Sequence, residues 1–467
     1  MHAQIDAFNS EIQLIAGSST SGLRQYYEAE VLAGDKRIIP LGLLSVDINR
    51  DFVNNYCDEV VVELQIPYGT YVEHIAPYRQ NLRIVLKKQT VSILPGQTTD
   101  DRTATETFRA TLIDAKQEST APKSTLTGDA DAANLAGSIP LSFQLQPIAI
   151  EQLRFFTFGA VFRTASPGEV LKAVFTKASQ QLNLDADQQI KGVTMFPVNN
   201  TEKLDAVVIP HGTRLMDLPD YLQKKSGGIY SSDLAFYLLA GQWFIWPLYD
   251  LSRSTQTPKK VTFLVVPPNL LNGIERTYRT TDNQLIVLIT GGTEHVDAVD
   301  EQLAVMGNGI RFPDARNVFN GMGEVADNKI TVARGANTNE FILKKRASGL
   351  NNIVRSTQAS RNIYAETSKY ASYLGGQMVF QWQNADPSLL RPDLPVEVMY
   401  LKDNLVKTLK GTLLGVKAWT GTTGNGVTNR QHQTHCVVRA FVEGDLPEFA
   451  TFIDEQGPQV QTPPKAF

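Results

Sequence analysis

His432, His435 and Cys436 are the one cluster of soft metal ligands in the sequence. A zinc site needs three or four such groups converging on one point, usually with paired spacings. On a β-strand, the odd step of three residues sends His432 and His435 to opposite faces. Cys436 then shares a small apolar face with Val438, Ala440 and Val442, where a thiol serves as a compact hydrophobe. No metal site is therefore expected. The second cysteine, Cys57, is distant in sequence, and the pair matches no redox spacing. Two reduced thiols in a chain made in a cytosol are the expectation.

Gly421-Thr422-Thr423-Gly424-Asn425-Gly426 has the glycine density of a phosphate cradle. It lacks the Gly-Lys-Ser/Thr step into a helix, because Val427-Thr428-Asn429-Arg430 runs towards a strand, so a hairpin tip is expected. Gly307, Gly309, Gly321 and Gly323 do not match a dinucleotide-binding spacing. Asp297, Asp300 and Glu301 form the densest carboxylate group, and a solvated turn is their ordinary setting. No serine stands in Gly-x-Ser-x-Gly, and no His-Glu-x-x-His occurs. The aromatic run Trp243-Phe244-Ile245-Trp246-Pro247-Leu248-Tyr249 reads as a core strand rather than a binding platform, since aromatics supply most burial area. No catalytic, cofactor-binding or metal-ligating residue is assigned, no cofactor is expected, and the chain reads as a non-enzyme.

The elements around these residues are mainly strands. In Glu59-Val60-Val61-Val62-Glu63-Leu64-Gln65-Ile66, Val60, Val62, Leu64 and Ile66 alternate with mostly polar neighbours, the period of a half-buried strand. Leu82, Ile84 and Leu86 repeat the pattern, as do Phe108, Ala110 and Leu112. Thr70-Tyr71-Val72-Glu73 has capping-box spacing and predicts a short helix limited by Pro77. Ser166-Pro167-Gly168-Glu169 combines an N-cap serine, a first-turn proline and a glutamate at N3 ahead of Val170, Leu171, Val174, Phe175 and Ala178, the strongest helix signal in the chain. Val207-Val208-Ile209-Pro210 predicts a strand. Leu215, Leu218 and Leu222 predict a helix stopped by Gly227-Gly228. Ser231 or Ser232 is expected to cap another short helix through Tyr237 and Leu238. Strands return at Val261 to Val266, Gln284 to Ile289 and Val396 to Leu401, with Asp403-Asn404 as a turn.

At 467 residues the chain is long enough for two to four domains. The composition, 42% hydrophobic and 20% charged, is that of a folded soluble protein. With 44 basic and 48 acidic residues the net charge is −4, which lacks the basic excess of a general nucleic-acid binder. The N-terminus has no signal-peptide pattern, and the uncharged stretch from Leu234 to Tyr249 is too short to span a bilayer. We read it as a helix end followed by an aromatic strand. The expected class is α+β and β-rich, with a small α/β domain over 161–250. Long polar insertions are expected at 117–138 and 311–376, the first a partner-facing loop. Residues 456–467 form a polar tail.

Three stretches resemble the baseplate hub proteins of contractile-tailed phages, a family related to the upper part of type VI secretion spikes. Leu41 to Lys88, a strand, short helix and strand, is similar to the tube-like barrel of those hubs. Gly212 to Asp250 is the second stretch, with Asp220-Tyr221-Leu222-Gln223 leading into Gly228-Ile229-Tyr230-Ser231 and the aromatic strand. Gln381-Trp382-Gln383-Asn384-Ala385-Asp386-Pro387, followed by Leu389 to Tyr400, resembles the approach to the hub's second barrel. Together they cover roughly half the chain. The resemblance implies two tube-like antiparallel β-barrel domains, over 1–160 and 251–455. It implies a homotrimer whose six barrels join a hexameric tail tube to a trimeric central spike beside baseplate wedge proteins, in the virion. Genomic DNA would make passive contact only. The alternatives are another tail, neck or tail-completion protein, or a tail-borne peptidoglycan hydrolase.

Overall fold

A computed structural model describes residues 2–17, 23–92, 102–113, 137–185, 188–256, 259–271, 274, 276–292, 375–402, 404–422 and 431–443, together with short segments between 309 and 371. The chain opens with the helix His2–Gly17. Strands β1 (Leu23–Ala33), β2 (Lys36–Ile38), β3 (Gly42–Asp51) and β4 (Glu59–Pro67) follow. Next come β5 (Leu82–Ser92), β6 (Arg102–Leu112), β7 (Ser138–Pro147) and β8 (Thr157–Ala165). The middle of the chain holds β9 (Gly192–Met195), β10 (Leu204–Arg214), β11 (Leu234–Leu239) and β12 (Gln242–Pro247). Beyond it lie β13 (Lys260–Val265), β14 (Tyr278–Thr280) and β15 (Gln284–Gly292). Two small sheets use β16 (Gly309–Phe312), β17 (Gly323–Ala326), β18 (Lys329–Val332), β19 (Phe341–Lys344) and β20 (Ile353–Arg355). The last strands are β21 (Gly375–Trp382), β22 (Pro395–Lys402), β23 (Leu405–Thr422) and β24 (Gln431–Glu443).

One large sheet runs β13-β22-β23-β3-β4-β7-β6-β5-β1-β24-β21-β15-β14, and β13–β15 and β23–β24 pair in addition. Those two extra pairings close it into two circuits that share β23 and β24. One circuit is β23-β3-β4-β7-β6-β5-β1-β24, and the other is β23-β24-β21-β15-β13-β22. The 18-residue β23 makes this sharing possible. Its first half pairs with β22 as far as Thr412, and its second half pairs with β3 from Gly415. Its opposite edge pairs with β24 from Gly411 to Thr422. The strands of 25–160 thus close only with two strands from the end of the chain. The second circuit is mixed rather than antiparallel, because β13 runs parallel to both β15 and β22. Parallel neighbours require a crossover connection, which a residue pattern within one strand does not reveal.

Alternation explains where the cores lie. On β4, Val60, Val62, Leu64 and Ile66 are 0–4% exposed, and Leu82, Ile84, Phe108 and Ala110 join them in the core of the first circuit. Leu112 packs against the same core, partly buried. Each such valine, leucine or isoleucine contributes about 1.5–3 kcal/mol on burial. Cys436, Val438, Ala440 and Val442 share the inward face of β24 and belong to the second core, with Trp246, Phe263, Phe380 and Trp382. A third core gathers helix Pro167–Gln180, helix Leu218–Lys224 and strands of the middle region. The first of these helices carries the expected capping box, Ser166 Oγ accepting from the Glu169 N–H and Glu169 accepting from the Ser166 N–H. At the end of the second, Gly227 and Gly228 take φ of +90° and +77°, the left-handed stop that glycine supplies.

Besides the mixed second circuit, two local expectations need correction. Leu234–Leu239 is a strand, not a helix, and forms a hairpin with β12 through Ala240 and Gly241, both at positive φ. Both faces of this strand are covered, Ala235 and Tyr237 by the second core and Leu234 and Leu238 by the third. Neither face is therefore polar, and the strand period is lost. The short helix after β4 exists, but Thr70 is not its cap. Helical backbone begins at Tyr68, widens into a π-turn over Tyr71–Ile75 and ends at Tyr78. Of the loop 117–138 only Gly137 and Ser138 are described, the latter as the first residue of β7. Most of 311–376, Asp297, Asp300, Glu301 and the tail 456–467 lie outside the described residues.

Candidate functional site

The inward stripe of several strands ends in a polar residue that keeps the same phase. Gln25 precedes Tyr27 on β1, Arg50 follows Ile48 on β3, Asp58 precedes Val60, and Lys88 follows Leu86 on β5. On the shared strands, Thr420 follows Ala418, and His432 and Thr434 precede Cys436. Because β23 and β24 run through both circuits, these residues meet where the first core gives way to the second. Ile48 packs against both cores and marks the boundary. The result is a buried ionic layer between two apolar compartments.

Arg50 is its main junction, with a side chain only 5% exposed. Its Nε and one terminal nitrogen donate to the two oxygens of Asp58 at 2.9 and 2.7 Å. The other terminal nitrogen donates to the carbonyls of Pro387 and Leu390, both at 2.9 Å. Asp58 also accepts from the Tyr237 hydroxyl at 2.8 Å. One guanidinium thus ties β3 and the start of β4 to the turn after β21, and through Asp58 to β11. Burial would push Arg50 down, but the Asp58 carboxylate outweighs it and holds the guanidinium protonated, above its usual range. Burial, followed by the Asp58 charge, raises Tyr237 well above the ordinary phenol range, so it stays a donor.

Asp386 forms the second junction, its side chain 1% exposed. Lys88 Nζ lies 2.5 Å from one oxygen, and Arg102 lies 2.9 Å from the other. Burial alone would raise this carboxyl, but the two cations hold it below the usual carboxylate range. Lys88 loses water on burial, yet Tyr27 and Asp386 raise its pKa above the ordinary lysine value. Gln25 spans the gap between these junctions. Its amide donates to the Ala385 carbonyl at 2.8 Å and accepts from Thr434 Oγ1 at 2.6 Å, and Thr434 hydrogen-bonds Thr420 at 2.9 Å. Nearby, Arg439 pairs with Asp51 at 2.9 Å. These contacts match acids with bases, the condition under which buried charge is tolerated. Such an arrangement fixes one packing of two cores. It directs no nucleophile and no paired acid and base at an open cleft.

The residues singled out by type fall apart accordingly. His432 is buried, accepts from the Tyr27 N–H at 3.3 Å and stacks edge-on against that ring. His435 faces the other side of β24, where partial burial lowers its pKa. Cys436 and Cys57 are free and buried, and burial raises both thiols, Cys57 to about 12. Among the described residues, no group of three or more His, Cys, Asp or Glu is placed to hold a metal ion. The aromatic run is a core strand, with Trp243 and Ile245 in the third core and Phe244, Trp246 and Leu248 in the second. Residues 423–430 lie outside the described residues, between strands paired up to Thr422 and His432. Gly309 and Gly323 begin short strands, while Gly307 and Gly321 are not described. No helix among the described residues is long and apolar enough to cross a membrane.

No catalytic-motif pattern in the sequence marks the ionic layer. The available signal was a charged residue in phase with an apolar stripe, as Lys88 is with Leu82, Ile84 and Leu86.

No protein-family model matches the sequence, and no curated protein does. Among solved structures, the chain is similar to a 43 kDa tail protein of prophage MuSo2 from Shewanella oneidensis. The two are 10% identical over 89% of this chain and 98% of that one, with a TM-score of 0.46. It is similar to a chain of the Francisella PdpA–VgrG complex at 8% identity and a TM-score of 0.43, over 96% of this chain and 57% of that one. A third likeness is to a type VI secretion component of E. coli described as similar to bacteriophage T4 tail proteins. That match has 8% identity and a TM-score of 0.37, over 86% of this chain and 74% of that one.

Proposed function

We infer that this chain is a structural baseplate hub protein of a contractile phage tail. The observation that carries the reading is the pair of closed strand circuits sharing β23 and β24. In this reading each circuit is one tube-like barrel, one built mainly from 1–160 and one from 251–455. The small α/β domain 161–250 lies between them in sequence, with 311–376 as an insertion and 456–467 as a tail. Three copies would bring six barrels to one ring, matching a hexameric tail tube on one side and a trimeric spike on the other, with wedge proteins around it. Closed rings of identical chains leave no growing end. The net charge of −4 suits a wall that genomic DNA slides past, since each lysine or arginine contact to phosphate adds affinity. The buried ionic layer belongs to this role as a rigid joint, with no catalytic residue and no cofactor.

The test is a cryo-EM reconstruction of the tail tip of a particle carrying this chain. The expected result is three copies in a ring between tube and spike. Density at the neck, or six copies in one ring, overturns the reading. Purified protein should leave a cell-wall zymogram uncleared. Clearing that a single carboxylate substitution abolishes would return the hydrolase alternative.

A further inference from the structure

Strands β8 and β10 form a two-stranded ribbon with no further strand on either edge among the described residues. Its inner face is anchored, with Val207 and Ile209 buried in the third core and Phe158 and Phe162 packed against it. Its outer face is unusual for a soluble protein. Val161 and Val208 stand directly opposite one another and are 60% and 50% exposed, with Phe155 at 70% at the base of the ribbon. Arg163, opposite Ala206, follows Val161 on the same face. No ion pair to Arg163 is formed among the described residues. Ribbons with open edges and an exposed apolar face invite pairing with another chain.

The complementary surface is present on the same molecule. The outward positions of β4 are Glu59, Val61, Glu63 and Gln65, flanked by Asp47 of β3 and Gln144 of β7. No lysine or arginine points outward from these three strands. The step from Val61 to Glu63 is two residues along a strand, as is the step from Val161 to Arg163. A valine-on-valine contact therefore brings guanidinium and carboxylate together without distortion.

We propose that the outer face of the β8–β10 ribbon seats on the acidic outer face of β4 in a second copy of this chain. Val161 and Val208 cover Val61, and Arg163 pairs with Glu63. Different surfaces meet, so the contact is head-to-tail and makes a ring when its rotation closes. The proposal deepens the hub reading by naming the contact between copies. It concerns purified chains, so its failure is separable from that of a position in the tail. Nine residues of ribbon span about 30 Å, and two strands are about 10 Å wide, giving a patch of about 300 Å². A stable interface needs about 800 Å² per partner, so this contact is weak alone and belongs to micromolar concentrations.

Sedimentation velocity of the full chain across the micromolar range should show concentration-dependent association. Arg163→Glu and Val161→Asp should each weaken it at least about tenfold, the effect of losing one interface contact. Glu63→Arg should weaken it similarly, and Arg163→Glu combined with Glu63→Arg should restore it. Thermal melts matching wild type confirm that these surface changes leave the fold intact. A wild-type chain that stays monomeric overturns the proposal. So does association indifferent to Arg163→Glu and Val161→Asp, or a charge swap that fails to rescue.

Discussion

Replacing Arg50 by methionine removes the junction of the ionic layer while keeping most of its side-chain volume. The structure fixes what is lost. Asp58 keeps only the Tyr237 hydroxyl, and the carbonyls of Pro387 and Leu390 lose their Arg50 donor. Breaking a buried ion pair by removing one partner costs about 3–5 kcal/mol, chiefly because the other charge stays buried. That is a large share of the roughly 5–15 kcal/mol that holds a protein folded. Removing the orphaned charge as well should recover part of it. Arg50→Met combined with Asp58→Asn keeps the tyrosine contact and leaves mainly the Leu390 carbonyl unsatisfied, since the Pro387 carbonyl still accepts from the Leu390 N–H, a cost of about 1–3 kcal/mol. The double variant is therefore expected to be about 2 kcal/mol more stable than Arg50→Met alone. Urea unfolding followed by tryptophan fluorescence reads this directly, since Trp246 and Trp382 are fully buried in the second core beside the layer. If Arg50→Met unfolds within about 1 kcal/mol of wild type, or the double variant is the less stable of the two, the layer is not electrostatically coupled as described.

Further outcomes follow from the same geometry. Asp386 is depressed by Lys88 and Arg102, so its contribution is present above the unfolded aspartate value of about 4 and is lost as pH falls through the lower folded value. Asp386→Asn should therefore lower the melting temperature at pH 7 and flatten its fall in acid, and an unchanged acid slope would contradict this. Gly375 and Gly411 flank β24, and an added Cβ would lie 2.2 Å from the Val442 carbonyl and 2.4 Å from the Phe441 carbonyl, respectively. Gly411→Ala should cost at least about 2 kcal/mol in a urea titration, within the range for overpacking, whereas a neutral result would mean that the strands can part. Both buried thiols should resist a thiol reagent in the native protein at neutral pH and react in denaturant; fast native labelling would show that the cores open.

Much of the fold was legible where one face of an element is dry and the other wet. Val60 to Ile66 show their burial in plain alternation, and Ser166 with Glu169 marks a helix start by hydrogen-bonding chemistry alone. Legibility failed where both faces are covered. Leu234–Leu239 lies between two cores and shows no period, and its hairpin turn uses Ala240 at φ +50° rather than an Asn-Gly pair. Pairings distant in sequence were also hidden, since nothing in β1 or β3 announces that β24 and β23 will lie beside them. Arg50, Lys88 and Asp386 looked like ordinary strand and turn charges. Their importance comes from partners 8 to 340 residues away.

The handover on β23 has a consequence for how such a chain can diversify. The strand leaves β22 at Thr412 and takes up β3 at Gly415, and the register against β24 slips between Leu413 and Gly415. Leu414 is the extra residue, and its carbonyl accepts from the Phe52 N–H at 3.0 Å. A bulge reverses which side chains face inward. Leu413 and Leu414 before the slip and Val416 and Ala418 after it all belong to the second core, so this one point sets the relative phase of the two halves of the strand. An insertion or deletion beside it would throw the half that pairs with β22 out of phase with the half that pairs with β3. Over descent, the loops and outer strands are free to lengthen, while the spacing across Leu413, Leu414 and Gly415 should stay fixed in length even where its residues change.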